Sequence, residues 1–134
     1  MKKEKARDEL IIPKLQSGEE LIGFFQAQYT PSWGWYFLIG PLFAFAVRIY
    51  FVAVTDKGIH YHKLTFFGKP DTSNYFTWNE IEKLKLSKGL LQAPLKFTFS
   101  NGRKLKLKAQ LKGMEKIAKL DDRTKEYLLS KSVV

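Results

Sequence analysis

The sequence predicts a mainly β domain with a C-terminal α-helix. Seven short antiparallel strands are expected to bend into a sandwich or barrel, with the helix capping one end. Three observations carry this reading. Short β-rich or alternating segments recur along the chain between clusters of Gly, Pro, Asn and Asp. Two tight turn signals, Asp56-Lys57-Gly58 and Asn101-Gly102, sit between such segments. Toward the C-terminus the apolar spacing changes to that of an amphipathic helix. Seven short strands cannot bury both faces as one flat sheet, so they curl, and a terminal helix can plug the open end. At 134 residues the chain has the size of a single domain.

The elements follow in order. An N-terminal helical segment is expected within residues 1–16, as a short helix over 3–12 stopped by Pro13. The strands occupy 17–112. LIGFFQAQY (Leu21–Tyr29) is rich in β-formers and bounded by Thr30-Pro31-Ser32, which makes it the first strand. An apolar insert, 31–47, separates it from the second strand, RIYFVAV (Arg48–Val54). TDKG (Thr55–Gly58) then leads into IHYHKLTF (Ile59–Phe66), and the glycine is expected to supply a left-handed turn position. FGKPDTSN (Phe67–Asn74) reads as a turn, and YFTW (Tyr75–Trp78) opens a fourth strand. KLKLSK (Lys83–Lys88) alternates strictly. LKFTFS (Leu95–Ser100), Asn101-Gly102 and RKLKLKAQ (Arg103–Gln110) form the clearest hairpin signal in the chain. The capping helix is expected over 113–130, with Met114, Ile117, Leu120, Thr124, Tyr127 and Leu128 on one face and Asp121-Asp122 as a point where it can break.

Charge divides the chain. Lys and Arg number 23 against 13 Asp and Glu, a net charge of +10. Residues 21–54 carry one charge, Arg48, whereas Lys83 to Lys119 holds eleven basic residues against Glu115 alone. So basic a chain is drawn to polyanions, either nucleic acid or an acidic membrane leaflet. Cysteine is absent, which excludes disulfides, Cys-ligated metals and thiol catalysis. The uncharged run 21–47 starts too late for a signal peptide, after a segment of mixed charge.

Three stretches carry a resemblance to a known family. GEELIGFFQAQ (Gly18–Gln28), IYFVAVTDKGIHYHKL (Ile49–Leu64) and WNEIEKLKL (Trp78–Leu86) are followed by a hairpin and a helix. In this order they resemble the pleckstrin-homology-like (PH-like) superfold, and within it the small bacterial PH-like and GRAM-like families. Those families commonly show a Gly-Glu start, a V-T-D-[KR]-x-[IL] hairpin and a W-x-[DE]-I step into the next strand. The similarity covers roughly Ser17 to Ser130. Fold analogy alone does not give function; the expectation of a non-enzymatic binding module rests on the sequence showing no G-x-S-x-G, H-E-x-x-H, phosphate-binding glycine loop or paired carboxylates. Phosphoinositide-binding members carry Lys and Arg on the first two strands and their connecting loop. Here Arg48 is the only charge in that region, so the usual headgroup site is not expected. The loop between the first two strands, which lies at the open end of the barrel and often meets membrane in that family, is instead long and aromatic.

Two features are candidate sites. The first is the aromatic stretch Trp33, Trp35, Tyr36, Phe37, Leu38 and Ile39, whose residue types favour a bilayer interface. Two other readings of the apolar run stay open: burial in the core, or a span over Trp33–Val54. Gly40-Pro41 and Arg48 oppose the span, and it would also remove the second strand from the barrel. The second candidate is the parity of the basic strands. Leu84, Leu86, Leu95, Phe97, Phe99, Leu105 and Leu107 point one way, while Lys83, Lys85, Lys96, Lys104, Lys106 and Lys108 point the other. Such a Lys-rich sheet face is either a solvated surface or a contact for acidic lipid. Nucleic acid is a lesser alternative, because Phe97 and Phe99 have the inward parity and no stacking platform accompanies the lysines. His60 and His62 share one face of a strand, but no acidic residue stands near them in sequence, and they are expected as surface or rim residues. No catalytic motif, cofactor or metal site is expected. The expected partners are acidic membrane lipids or another protein, and the expected location is cytoplasmic, peripheral to or anchored at the inner face of the cell membrane. A soluble interaction module whose apolar segment is core is the alternative.

Overall fold

In the computed structural model, which describes residues 3–29, 48–65, 69–87, 92–111 and 119–131, one antiparallel sheet holds all the strands in the order β4-β3-β2-β1-β7-β6-β5. They are β1 (Leu21–Tyr29), β2 (Arg48–Thr55), β3 (Gly58–Leu64), β4 (Pro70–Thr77), β5 (Ile81–Leu86), β6 (Gln92–Phe99) and β7 (Lys104–Gln110), and a helix follows at Asp122–Lys131. β4 and β5 end the order on opposite sides, yet only the 3-10 turn Trp78–Glu80 separates them in sequence. A flat sheet of this width would hold its edges roughly 29 Å apart, and so short a link reaches only about 10 Å. The sheet therefore rolls until its edges meet at this corner. The Trp78 N–H donates to the Lys57 carbonyl (3.3 Å) and the Ser100 N–H to that of Glu80 (2.9 Å), which fixes the closure.

The two halves pack face to face. Tyr61 meets Phe97 edge-on at 5.2 Å between ring centroids, and Phe76 stacks on Phe99 at 4.1 Å. Phe25, Val52, Val54 and Ile59 fill the interior from one side, and Leu84, Leu95, Phe97 and Leu107 from the other. Leu120 and Leu128 close one end. The helix begins at Asp122, because Asp121 serves as its cap: Asp121 Oδ1 accepts from the Thr124 N–H at 2.8 Å. The stretch 112–118, including Ile117, lies outside the described residues.

The N-terminal segment runs through three helical turns, Lys3–Lys5, Ala6–Ile11 and Ile12–Lys14. Pro13 sits inside the last of them instead of stopping the helix, near the start of a turn where its missing N–H costs nothing. Ala6, Leu10 and Ile11 are buried on the outer face of the sheet against Phe51, Ala53 and Leu64. β2 is thus apolar on both faces, which is why Arg48–Val54 reads as a continuous apolar run and not as an alternation. Pairing of β2 with both β1 and β3 contradicts a membrane span over Trp33–Val54. Among the described residues no helix is long and apolar enough to cross a membrane.

Three expectations change in detail. β4 begins at Pro70, inside the stretch that reads as a turn. It is an edge strand with a solvent-exposed first half, so polar residues and a leading proline suit it. Gly58 has no positive φ; a side chain there would collide with the Phe76 carbonyl on β4. Gly102 does have one (φ 88°), after a turn in which the Asn101 side chain accepts from the Arg103 N–H. The connection is a three-residue loop with glycine in the left-handed position, and Asn101 is not left-handed.

Candidate anion-binding face

Inward burial of Leu84, Leu95, Phe97 and Leu107 forces the intervening residues of β5–β7 outward. Lys83, Lys85, Lys96, Lys104, Lys106 and Lys108 are all exposed there, and the register aligns them. Lys85 stands opposite Lys96, and Lys96 opposite Lys106, so three lysines form a row straight across three strands. A parallel row runs Lys83, Thr98, Lys104. On the other side Lys108 faces Pro94 of β6 and Gln28 of β1. Residues directly opposite in such pairs have Cβ atoms about 5 Å apart, and like charges so placed destabilise a sheet. Among the described residues none of the six lysines forms an ion pair, and between Glu82 and Glu115 the chain contains no Asp or Glu. The face is also shaped. A depression of about 350 Å³ is lined by Lys83, Lys85, Lys96, Phe97, Thr98, Lys104 and Lys106. Phe97 and Phe99 are buried in the interior and offer no ring to a base on this side.

The aromatic candidates Trp33, Trp35, Tyr36, Phe37, Leu38 and Ile39 lie outside the described residues.

A second polar group has no counterpart among the sequence motifs. His60 and His62 are buried, at 3% and 0% exposure, which corrects their expected rim position. The outer face of β3 that carries them is covered. Glu19, 41 residues away, meets His60 Nε2 through both carboxylate oxygens at 2.9 and 3.1 Å. Glu19 also accepts from the Gln16 N–H (2.7 Å) and from the Thr55 hydroxyl. Burial by itself would raise the Glu19 pKa. The hydrogen bonds from Thr55, Gln16 and His60 outweigh it and hold the carboxyl below its ordinary value. Tyr75 stacks on His60 with centroids 4.3 Å apart. His62 Nδ1 pairs with Ser73 Oγ at 2.8 Å, and burial, with the nearby charges of His60 and Lys14, lowers its pKa to about 4. The Glu19 carboxylate thus holds the Thr55 hydroxyl and the His60 ring together, and it clamps the turn before β1 to the β2–β3 hairpin. No sequence pattern marks it, because the partners meet only through the fold. Among the described residues no group of three or more His, Cys, Asp or Glu side chains is placed to hold a metal ion.

No protein-family model matches the chain, and a search of curated proteins finds no relative.

Proposed function

We propose that the protein is a non-enzymatic PH-like binding module that associates with an anionic membrane surface, at the cytoplasmic face, through the lysines of β5–β7. The observation that carries this reading is the row Lys85–Lys96–Lys106, flanked by Lys83, Lys104 and Lys108 and without an ion pair among the described residues. A lysine close to an acidic leaflet contributes about 1 kcal/mol, so several on one face sum to useful binding. The rolled sheet with a helix in one end is the arrangement that the family resemblance implies, and it supports the PH-like part of the reading. The aromatic run around Trp33 and Trp35 adds, by its composition, a second apolar signal of the kind that stable anchoring needs.

Co-sedimentation with vesicles tests the proposal. Acidic vesicles should bind the protein and neutral ones should not, and binding should weaken steeply with salt, since exposed charges are screened within about 10 Å at 0.1 M. The triple variant Lys85→Glu/Lys96→Glu/Lys106→Glu should stay folded and lose vesicle binding. Retained binding in that variant, or a preference for nucleic acid over acidic vesicles, would sink the proposal.

A further inference from the structure

Two depressions lie side by side on the lysine face. Next to the one between Lys83 and Lys106, a second of about 360 Å³ is lined by Gln28, Pro94 and Lys108 together with Lys96 and Lys106, so these last two lysines line both. We infer that Lys96 and Lys106 bridge a two-lobed site for a lipid headgroup that carries two phosphate groups, one in each lobe. The inference rests on the membrane-binding reading above and names the lipid class for it.

Charge and spacing both favour two phosphates. A headgroup with one phosphate neutralises one lobe and leaves the lysines of the other without a counter-charge. Along β7, Lys104, Lys106 and Lys108 follow at every second residue, so the spaces on either side of Lys106 are centred about 7 Å apart. Two phosphates joined through a short polyol bridge match that separation within one molecule, so that binding the second is intramolecular, whereas two independent headgroups must each be captured separately. Each lobe also offers a neutral donor beside its ammonium groups: the Thr98 hydroxyl in one and the Gln28 amide in the other. The Gln28 Oε1 accepts from Gln92 Nε2 at 3.1 Å, which leaves the Gln28 NH₂ group as the donor end of the amide. Phosphate oxygens between several ammonium groups make charge-assisted hydrogen bonds, stronger than neutral ones. An occupant with two phosphates would also relieve the like-charge contact of Lys96 with both Lys85 and Lys106.

The test compares vesicles containing diphosphatidylglycerol, with two phosphates per headgroup, against vesicles containing phosphatidylglycerol, matched in total phosphate so that surface charge is equal. The full chain should bind the first about fivefold more tightly or better, the equivalent of at least one additional lysine engaged. Lys96→Gln should reduce the preference toward unity. Lys125→Gln, which removes the same charge from the exposed face of the C-terminal helix, should leave it intact. Equal affinity for the two vesicles overturns this inference and leaves membrane binding standing; failure to bind either vesicle overturns both. Full displacement by inorganic tripolyphosphate at matched phosphate would assign the site to a soluble polyanion and overturn the lipid assignment.

Discussion

Acidification should weaken this fold through one buried side chain, His62. Its pKa is lowered from 6.5 to about 4 because the ring is buried and lies near the charges of His60 and Lys14. In the unfolded chain His62 titrates near its ordinary value. Between pH 6.5 and pH 4 the unfolded state therefore holds a proton there that the folded state lacks, so stability falls as pH falls through this window and is full above it. A shift of this size corresponds to about 3 kcal/mol. Glu19 acts in the same direction but at lower pH: its depressed carboxyl contributes stability above the ordinary carboxylate value, lost as pH drops through its folded pKa. The window above pH 4.5 thus belongs mainly to His62. The perturbation is His62→Phe, which keeps a flat ring against His60 and leaves only the exposed Ser73 hydroxyl to be taken up by water. Urea unfolding at pH 7, 5.5 and 4.5 gives the stability of both proteins. The wild type should lose more stability on acidification than His62→Phe, by about 2–3 kcal/mol at pH 4.5. Parallel curves would refute the burial argument.

Three further outcomes are expected. Leu128→Ala removes a fully buried side chain from the helix that closes the barrel and should cost about 2–5 kcal/mol by thermal or urea unfolding; unchanged stability would mean that the helix is no plug. Ile11→Ala should cost about 2–4 kcal/mol, since Ile11 is buried on the outer face of the sheet, and a loss below about 0.5 kcal/mol would detach the N-terminal segment from the second core. In a Trp78→Phe variant, emission from Trp33 and Trp35 should shift to the blue when acidic vesicles are added, and emission already blue and unresponsive to lipid would remove these residues from the membrane contact.

Period-two alternation makes the lysine face legible in the sequence itself. On β5–β7 a single buried row of Leu and Phe dictates where every other side chain points. Leu21–Tyr29 is likewise legible because turn residues bound a dense β-forming run. Alternation assigns faces but not neighbours. The row Lys85–Lys96–Lys106 depends on a register set by the bulge between Ile81 and Lys83 and by the three-residue loop at Gly102, neither of which composition reveals. β4 is hidden for the opposite reason: an edge strand open to solvent keeps the polar residues that also mark turns. The second core under the N-terminal segment leaves no signal because a strand buried on both faces shows no alternation. The Glu19–His60 pair joins residues far apart in sequence, and only the placement of the turn before β1 over the β2–β3 hairpin brings them together.

Lysine labelling on the membrane tests the central claim most directly. With the protein bound to acidic vesicles, acetylation read by mass spectrometry reports each lysine separately. Lys83, Lys85, Lys96, Lys104, Lys106 and Lys108 should be protected together relative to the free protein, while Lys63 on β3 and Lys125 on the C-terminal helix should react as before. Protection spread evenly over all lysines, or centred on Lys63 and Lys125, would contradict membrane docking through β5–β7.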